Sequence, residues 1–116
     1  MPNFQQWLES QEEYNTKEKR GKVKELDISK KELEGDLDLN DFINLEKLNC
    51  PYNQLTTVNL SNCMQLKVLN CGSNKLTNLD LTKSRELERI SCNDNYLNSF
   101  DYLSLNPEKL IWVILQ

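Results

Sequence analysis

Four cysteines, Cys50, Cys63, Cys71 and Cys92, stand in this 116-residue chain, which has no histidine. Thiols in that number can hold zinc, form disulfides or fill a core, and their spacing separates the three uses. Zinc sites draw ligands from close pairs such as Cys-x-x-Cys. Here 12, 7 and 20 residues intervene between successive cysteines, so no metal is expected. A disulfide between Cys50 and Cys71 is conceivable if the two sit on neighbouring strands. Adjacent in-register side chains on parallel strands, however, seldom reach the torsion a disulfide needs. The expected state is a file of small, buried, reduced thiols.

Three of the cysteines belong to a longer unit, Leu-x-x-(Leu/Ile)-x-Cys-x-x-Asn-x-Leu, which begins at Leu45, Leu66 and Leu87. The period is 21 residues, and Asn53, Asn74 and Asn95 recur with it, as do Leu55, Leu76 and Leu97. A fixed period of about 20 to 29 residues marks a solenoid, in which each unit buries its apolar face against its neighbours. Within each unit the segment ending at the cysteine alternates. Leu48 and Cys50 should therefore face the core while Lys47 and Asn49 face out. Successive units would stack such segments as parallel strands about 4.8 Å apart. Each asparagine falls where the backbone must turn, and its amide can satisfy main-chain groups of its own turn and the adjacent one. The three asparagines are expected to be buried.

The frame extends on both sides of the clear repeats. Val23, Leu26, Ile28 and Leu33 align with Leu45, Leu48, Cys50 and Leu55, giving a first unit of 22 residues with its extra residue near Glu34-Gly35-Asp36. Units are thus expected over about 23–44, 45–65, 66–86 and 87–109, with a partial strand over 110–116. In the back half of the units Val58 and Leu60, Leu79 and Leu81, then Phe100 and Leu103 should close the core. Phe42, Cys63 and Ser84 occupy one further equivalent place. That half contains no long helix-forming stretch, so extended chain, turns or short 3₁₀ pieces are expected there. Ahead of the repeats, residues 1–22 read as a helical cap. Phe4, Trp7, Leu8 and Tyr14 form a partial helical stripe over residues 3 to 14, with Pro2 near the first turn. A second helix would be capped by Thr16 and ended by Gly21. Such a cap would cover the open end of the solenoid.

Leu45 to Asn106 resembles the cysteine-containing 21-residue leucine-rich repeats of the internalin J type, and Leu76-Thr77-Asn78-Leu79-Asp80-Leu81-Thr82 follows their tail closely. Glu25-Leu26-Asp27-Ile28-Ser29 with Asp41-Phe42-Ile43-Asn44-Leu45-Glu46-Lys47-Leu48 is similar to expanded fungal leucine-rich-repeat families. The resemblance covers about residues 22 to 110. It implies an α/β fold: a right-handed leucine-rich-repeat solenoid in a short horseshoe arc. A single parallel sheet would line the concave face, the convex face would be mostly loop and 3₁₀, and a short helical cap would precede the repeats. Such arrays mostly bind proteins, and some fungal members carry a kinase-like domain.

Composition narrows the function further. Net charge is −4 with both signs interleaved, which argues against a nucleic-acid partner. Neither a signal peptide nor an apolar stretch of membrane-spanning length is visible, so a cytoplasmic location without membrane attachment and with reduced thiols is the expectation. With no histidine and no glycine-rich phosphate loop, neither an acid–base pair nor an activated nucleophile is evident, and neither enzymatic activity nor a cofactor is expected. Function should then reside in the outward-pointing residues of successive strands on the concave sheet: Glu25, Asp27, Lys47, Asn49, Val68, Asn70, Arg89, Ser91, Trp112 and Ile114. Arg89 and Trp112 are the foremost anchors for a protein partner, since Arg and Trp dominate interface hot spots. The segment Leu110 to Leu115 is apolar throughout and lacks a polar cap. It reads as the end of a truncated or degraded array, or as an end that self-associates through Trp112. A structural scaffold within a longer repeat protein is the competing reading.

Overall fold

The computed structural model describes residues 2–97, 108–109 and 112–114. Its strands are β1 (Glu25–Asp27), β2 (Glu34–Asp38), β3 (Lys47–Asn49), β4 (Gln54–Asn59), β5 (Val68–Asn70), β6 (Arg89–Ser91) and β7 (Trp112–Ile114). Five of them form one parallel sheet in the order β1-β3-β5-β6-β7. Since all run the same way, the chain crosses back between them each time, and the result is a solenoid of parallel strands. Register follows the sequence frame: Leu26 pairs with Leu48, Leu48 with Leu69, Leu69 with Ile90 and Ile90 with Val113. The alternation within each unit explains the strand faces. Leu26, Leu48, Leu69 and Ile90 are buried, while their strand neighbours are exposed or half-buried.

On the opposite side β2 pairs with β4, again in parallel. The extended chain expected on this side is realised in the first two units as a second, two-stranded sheet. Local propensity argues against a strand in Glu-Gly-Asp-Leu-Asp. Stacking of successive turns overrides it by bringing two main-chain edges into hydrogen-bond range, and Thr57 Oγ1 adds a 2.6 Å bond to Asp36 Oδ1. The pairing slips between Gly35 and Asp36, where the extra residue of the first unit was expected. Gly35 absorbs the slip at φ +82°, a region glycine enters without steric cost.

Leu37, Val58, Leu60 and Leu81 close the core from this side, and Leu79 is half-buried against it. The equivalent positions Phe42, Cys63 and Ser84 are all buried. They differ in how their polar atoms fare. The Cys63 thiol points at the carbonyls of Leu39 and Phe42, 3.7 and 3.6 Å away, whereas Ser84 Oγ is buried with no hydrogen-bond partner. A C–S bond is longer than a C–O bond, so a thiol reaches acceptors that a hydroxyl at the same place misses. A buried unsatisfied hydroxyl costs about 1–3 kcal/mol. Ser84→Cys is therefore expected to raise the unfolding free energy by about 1 kcal/mol, read as a higher urea midpoint at unchanged slope. A lower midpoint would show that the slot cannot take the larger atom.

The amino-terminal segment forms α1 (Phe4–Ser10) and α2 (Lys17–Gly21). Asn3 is the cap of α1, in a reciprocal pair with Gln6, and Pro2 lies just ahead of the first turn. The helix stops at Ser10, short of Tyr14, because Gln11 turns out and bonds back to Leu8. Tyr14 nonetheless returns to Trp7, with ring centroids 5.8 Å apart. Thr16 caps α2 by accepting from the Lys19 N–H, as its position in the sequence suggests. Phe4 and Leu8 are buried in the common core, Phe4 lying 6.3 Å from Phe42, and Pro2 accepts the N–H of Glu34 on β2. The segment thus covers the first unit. Buried Arg20 holds its return, donating from Nε to the Tyr14 carbonyl at 2.7 Å and pairing with Asp41 at 3.1 Å. The expected core residues Phe100 and Leu103 lie outside the described residues, as do Leu110, Ile111 and Leu115.

Candidate functional site

Parallel register gathers the outward residues of the five-stranded sheet into two rows. One runs Glu25, Lys47, Val68, Arg89 and Trp112, and the other Asp27, Asn49, Asn70, Ser91 and Ile114. The eight candidates on β1, β3, β5 and β6 thus fall on one face of one sheet, and Trp112 and Ile114 continue their register on β7. Glu25, Asp27, Lys47 and Arg89 are exposed, while Val68, Asn49, Asn70 and Ser91 are half-buried. For Trp112 and Ile114 only the backbone position is described. Reading along the first row, the strands present an anion, a cation, an apolar group and a second cation.

The β1 end of this face is shaped differently from the rest. There a hollow of about 280 Å³ is lined by Tyr14, Glu25, Leu26, Asp27, Lys47 and Asn49. Asp27 accepts both the hydroxyl of Ser29, at 2.7 Å, and its N–H, at 3.0 Å. Those bonds, with help from the Asn49 side chain and the Lys31 charge, hold its carboxyl below the usual range. Asn49 Oδ1 is buried at the edge of this hollow without a hydrogen-bond partner. Tyr14 was read from the sequence as part of a helix stripe. Its place beside β1 depends on the turn after Ser10 and on the Arg20 bond, which no periodicity announces.

The residues that do repeat are occupied with the fold. All four cysteines are free and buried. Burial pushes the Cys50 thiol up to about 12, and burial together with the Asp38 charge pushes Cys63 up to about 11. The Cys71 thiol, hydrogen-bonded to Cys92 and buried, is also held well above its ordinary value. Such thiols are poor nucleophiles, because the thiolate is the reactive form. Among the described residues no group of three or more Cys, Asp or Glu side chains could hold a metal ion.

The asparagines serve the main chain. Asn74 accepts the Leu55 N–H and donates to the carbonyls of Cys50, Cys71 and Gly72, and Asn95 repeats the scheme with Leu76, Cys71, Cys92 and Asn93. Asn53 and Asn74 are buried as expected; Asn95 is half-buried. No helix among the described residues is long and apolar enough to cross a membrane. Comparison with protein-family models, with curated proteins and with solved structures finds no match.

Proposed function

We propose that the chain is a leucine-rich-repeat module that binds a protein partner through the outer face of its five-stranded sheet. It acts in the cytoplasm, with neither catalysis nor a cofactor. The carrying observation is the alignment of the outward residues in two rows, of which the first varies from unit to unit, while the repeated leucines and cysteines and the turn asparagines Asn53, Asn74 and Asn95 serve the core and its turns. A stacked scaffold fixes the spacing of those rows at about 4.8 Å per strand, which favours recognition of a preformed surface at low entropic cost. The first row supplies separated contacts of both signs around an apolar group, a pattern suited to specificity for one partner.

The test begins with a partner obtained by affinity purification and confirmed as a direct binder. Replacing Lys47, Arg89 and Trp112 together by Ser is expected to weaken its binding at least tenfold by titration calorimetry, because hot-spot truncations cost about 2 kcal/mol or more each. Unchanged affinity with an unchanged circular-dichroism spectrum would refute the assignment. The competing reading, a scaffold within a longer repeat protein, is favoured by the place of β7 at the end of the strand order, where a further parallel strand could pair. Transcript sequence running past the Gln116 codon into more repeats or a kinase-like domain would favour the scaffold.

A further inference from the structure

We propose that the hollow at the β1 end of the sheet receives an arginine side chain of the protein partner, with its guanidinium bridging Glu25 and Asp27 beside Tyr14. This deepens the sheet-face reading and rests on it. Pockets for small molecules run to about 300–1,000 Å³, so a hollow of about 280 Å³ suits one long side chain better than a cofactor.

Charge selects the side chain. Glu25 and Asp27 are two residues apart on one strand, so they project to the same side from positions about 6.6 Å apart. Neither is in an ion pair among the described residues, where the pairs are Arg20–Asp41, Lys22–Glu18, Lys67–Glu46 and Lys109–Glu86. Lys47 borders the hollow on the next strand yet pairs with neither carboxylate. The described outward side chains of β3, β5 and β6 in the two rows include no carboxylate, so the preference for a cation is confined to β1.

Geometry separates arginine from lysine. A guanidinium offers N–H donors on several edges of a flat fork and can satisfy two carboxylates at this spacing, whereas an ammonium acts as a single point. Tyr14 adds an aromatic surface, which favours the flat, weakly hydrated guanidinium again. That wall is set in advance, because the Tyr14 ring rests against Trp7 and its carbonyl accepts from Arg20. A preformed wall lowers the cost of ordering on binding. With a net charge of −4, the protein as a whole does not repel a basic segment.

The test is an amide ¹H–¹⁵N NMR titration of the full chain with N-acetyl-arginine amide, with N-acetyl-lysine amide and N-acetyl-glutamine amide as comparators. Saturating shifts are expected at Glu25, Asp27 and Asn49, with the lysine probe several-fold weaker and the glutamine probe silent. Glu25→Gln with Asp27→Asn removes both exposed ion pairs and should weaken the arginine probe by roughly two- to thirtyfold. Lys47→Gln, which removes a competing cation, should strengthen it by about two- to threefold. All three substitutions are on exposed side chains, and dispersion of the spectrum verifies the fold. Absence of a saturable shift, or equal shifts in the double variant, overturns the proposal. That result leaves the sheet-face reading intact, since the latter stands or falls on the Lys47, Arg89 and Trp112 replacement.

Discussion

Raising the pH from 8 to 12 is expected to remove several kcal/mol of stability from this protein, even in the presence of reductant. Cys50 is held at about 12 in the folded state against 9.0 for an ordinary thiol, and the cause is burial of a group whose ionised form would lose its water. The sign follows from which state binds the proton more tightly. The folded chain does, so its advantage is fully present below pH 9 and fades as pH climbs from 9 towards 12. At about 1.4 kcal/mol per unit of difference, Cys50 alone accounts for roughly 4 kcal/mol by the top of that window. Cys63, at about 11, acts in the same direction over a narrower window, whereas the hydrogen bond between Cys71 and Cys92 raises the first and lowers the second, so that pair adds little to the slope. Domains of this size are stable by only about 5–15 kcal/mol, so unfolding near pH 11 to 12 is the expected outcome. Urea titrations at half-unit intervals measure it, and Cys50→Ala serves as the control because its own slope above pH 9 should be shallower. Identical slopes for the two proteins would mean that Cys50 is not the buried acid. Below pH 8 the native thiols should also resist a disulfide reagent until urea reaches the unfolding transition.

Much of this architecture was legible in the sequence because a period is a long-range signal. Leu48, Leu69 and Ile90 lie at the same frame position in chain order, and parallel stacking has no option but to align them. The same logic places Asn53 and Asn74 in the turns. The pairing of β2 with β4 was not legible, since Glu34-Gly35-Asp36-Leu37-Asp38 has neither strand propensity nor clean alternation and becomes a strand only beside its neighbour. The two outward rows could be listed from alternation alone. The hollow at β1 could not, because one of its walls is Tyr14, brought back by a helix end and by the single Arg20 bond to its carbonyl. Periodicity reports what every unit shares, whereas a recognition surface is made of what one unit has and the others lack.

Asn53→Ala is expected to destabilise the protein by about 3–4 kcal/mol, more than the same change at Asn95, although both residues occupy the same place in their units. Asn53 Oδ1 accepts the N–H groups of Lys31, at 3.1 Å, and Leu33, at 3.0 Å, while its Nδ2 donates to the carbonyls of Ile28 and Cys50 at 2.9 and 3.1 Å. Those groups belong to two consecutive units, so one side chain ties the turn of the first to the turn of the second. Truncation strands buried main-chain donors and acceptors, each worth about 1–3 kcal/mol when left without a partner. Partial relaxation and entry of water keep the total below the sum. At Asn95 the side chain is half-buried and among the described residues accepts a single N–H, from Leu76, so solvent can replace part of what is lost and about 1–2 kcal/mol is expected. Asn53→Asp separates the two halves of the amide, since it keeps the acceptors for Lys31 and Leu33 and removes the donors to Ile28 and Cys50. It should fall between wild type and the alanine variant at low pH, where the acid can carry a proton, and drop toward the alanine value at neutral pH, where a buried charge adds its own cost. Urea unfolding of the three variants measures all of this. Equal losses for Asn53→Ala and Asn95→Ala would mean that the amide acts through turn conformation alone, and not through the bonds it makes across the units.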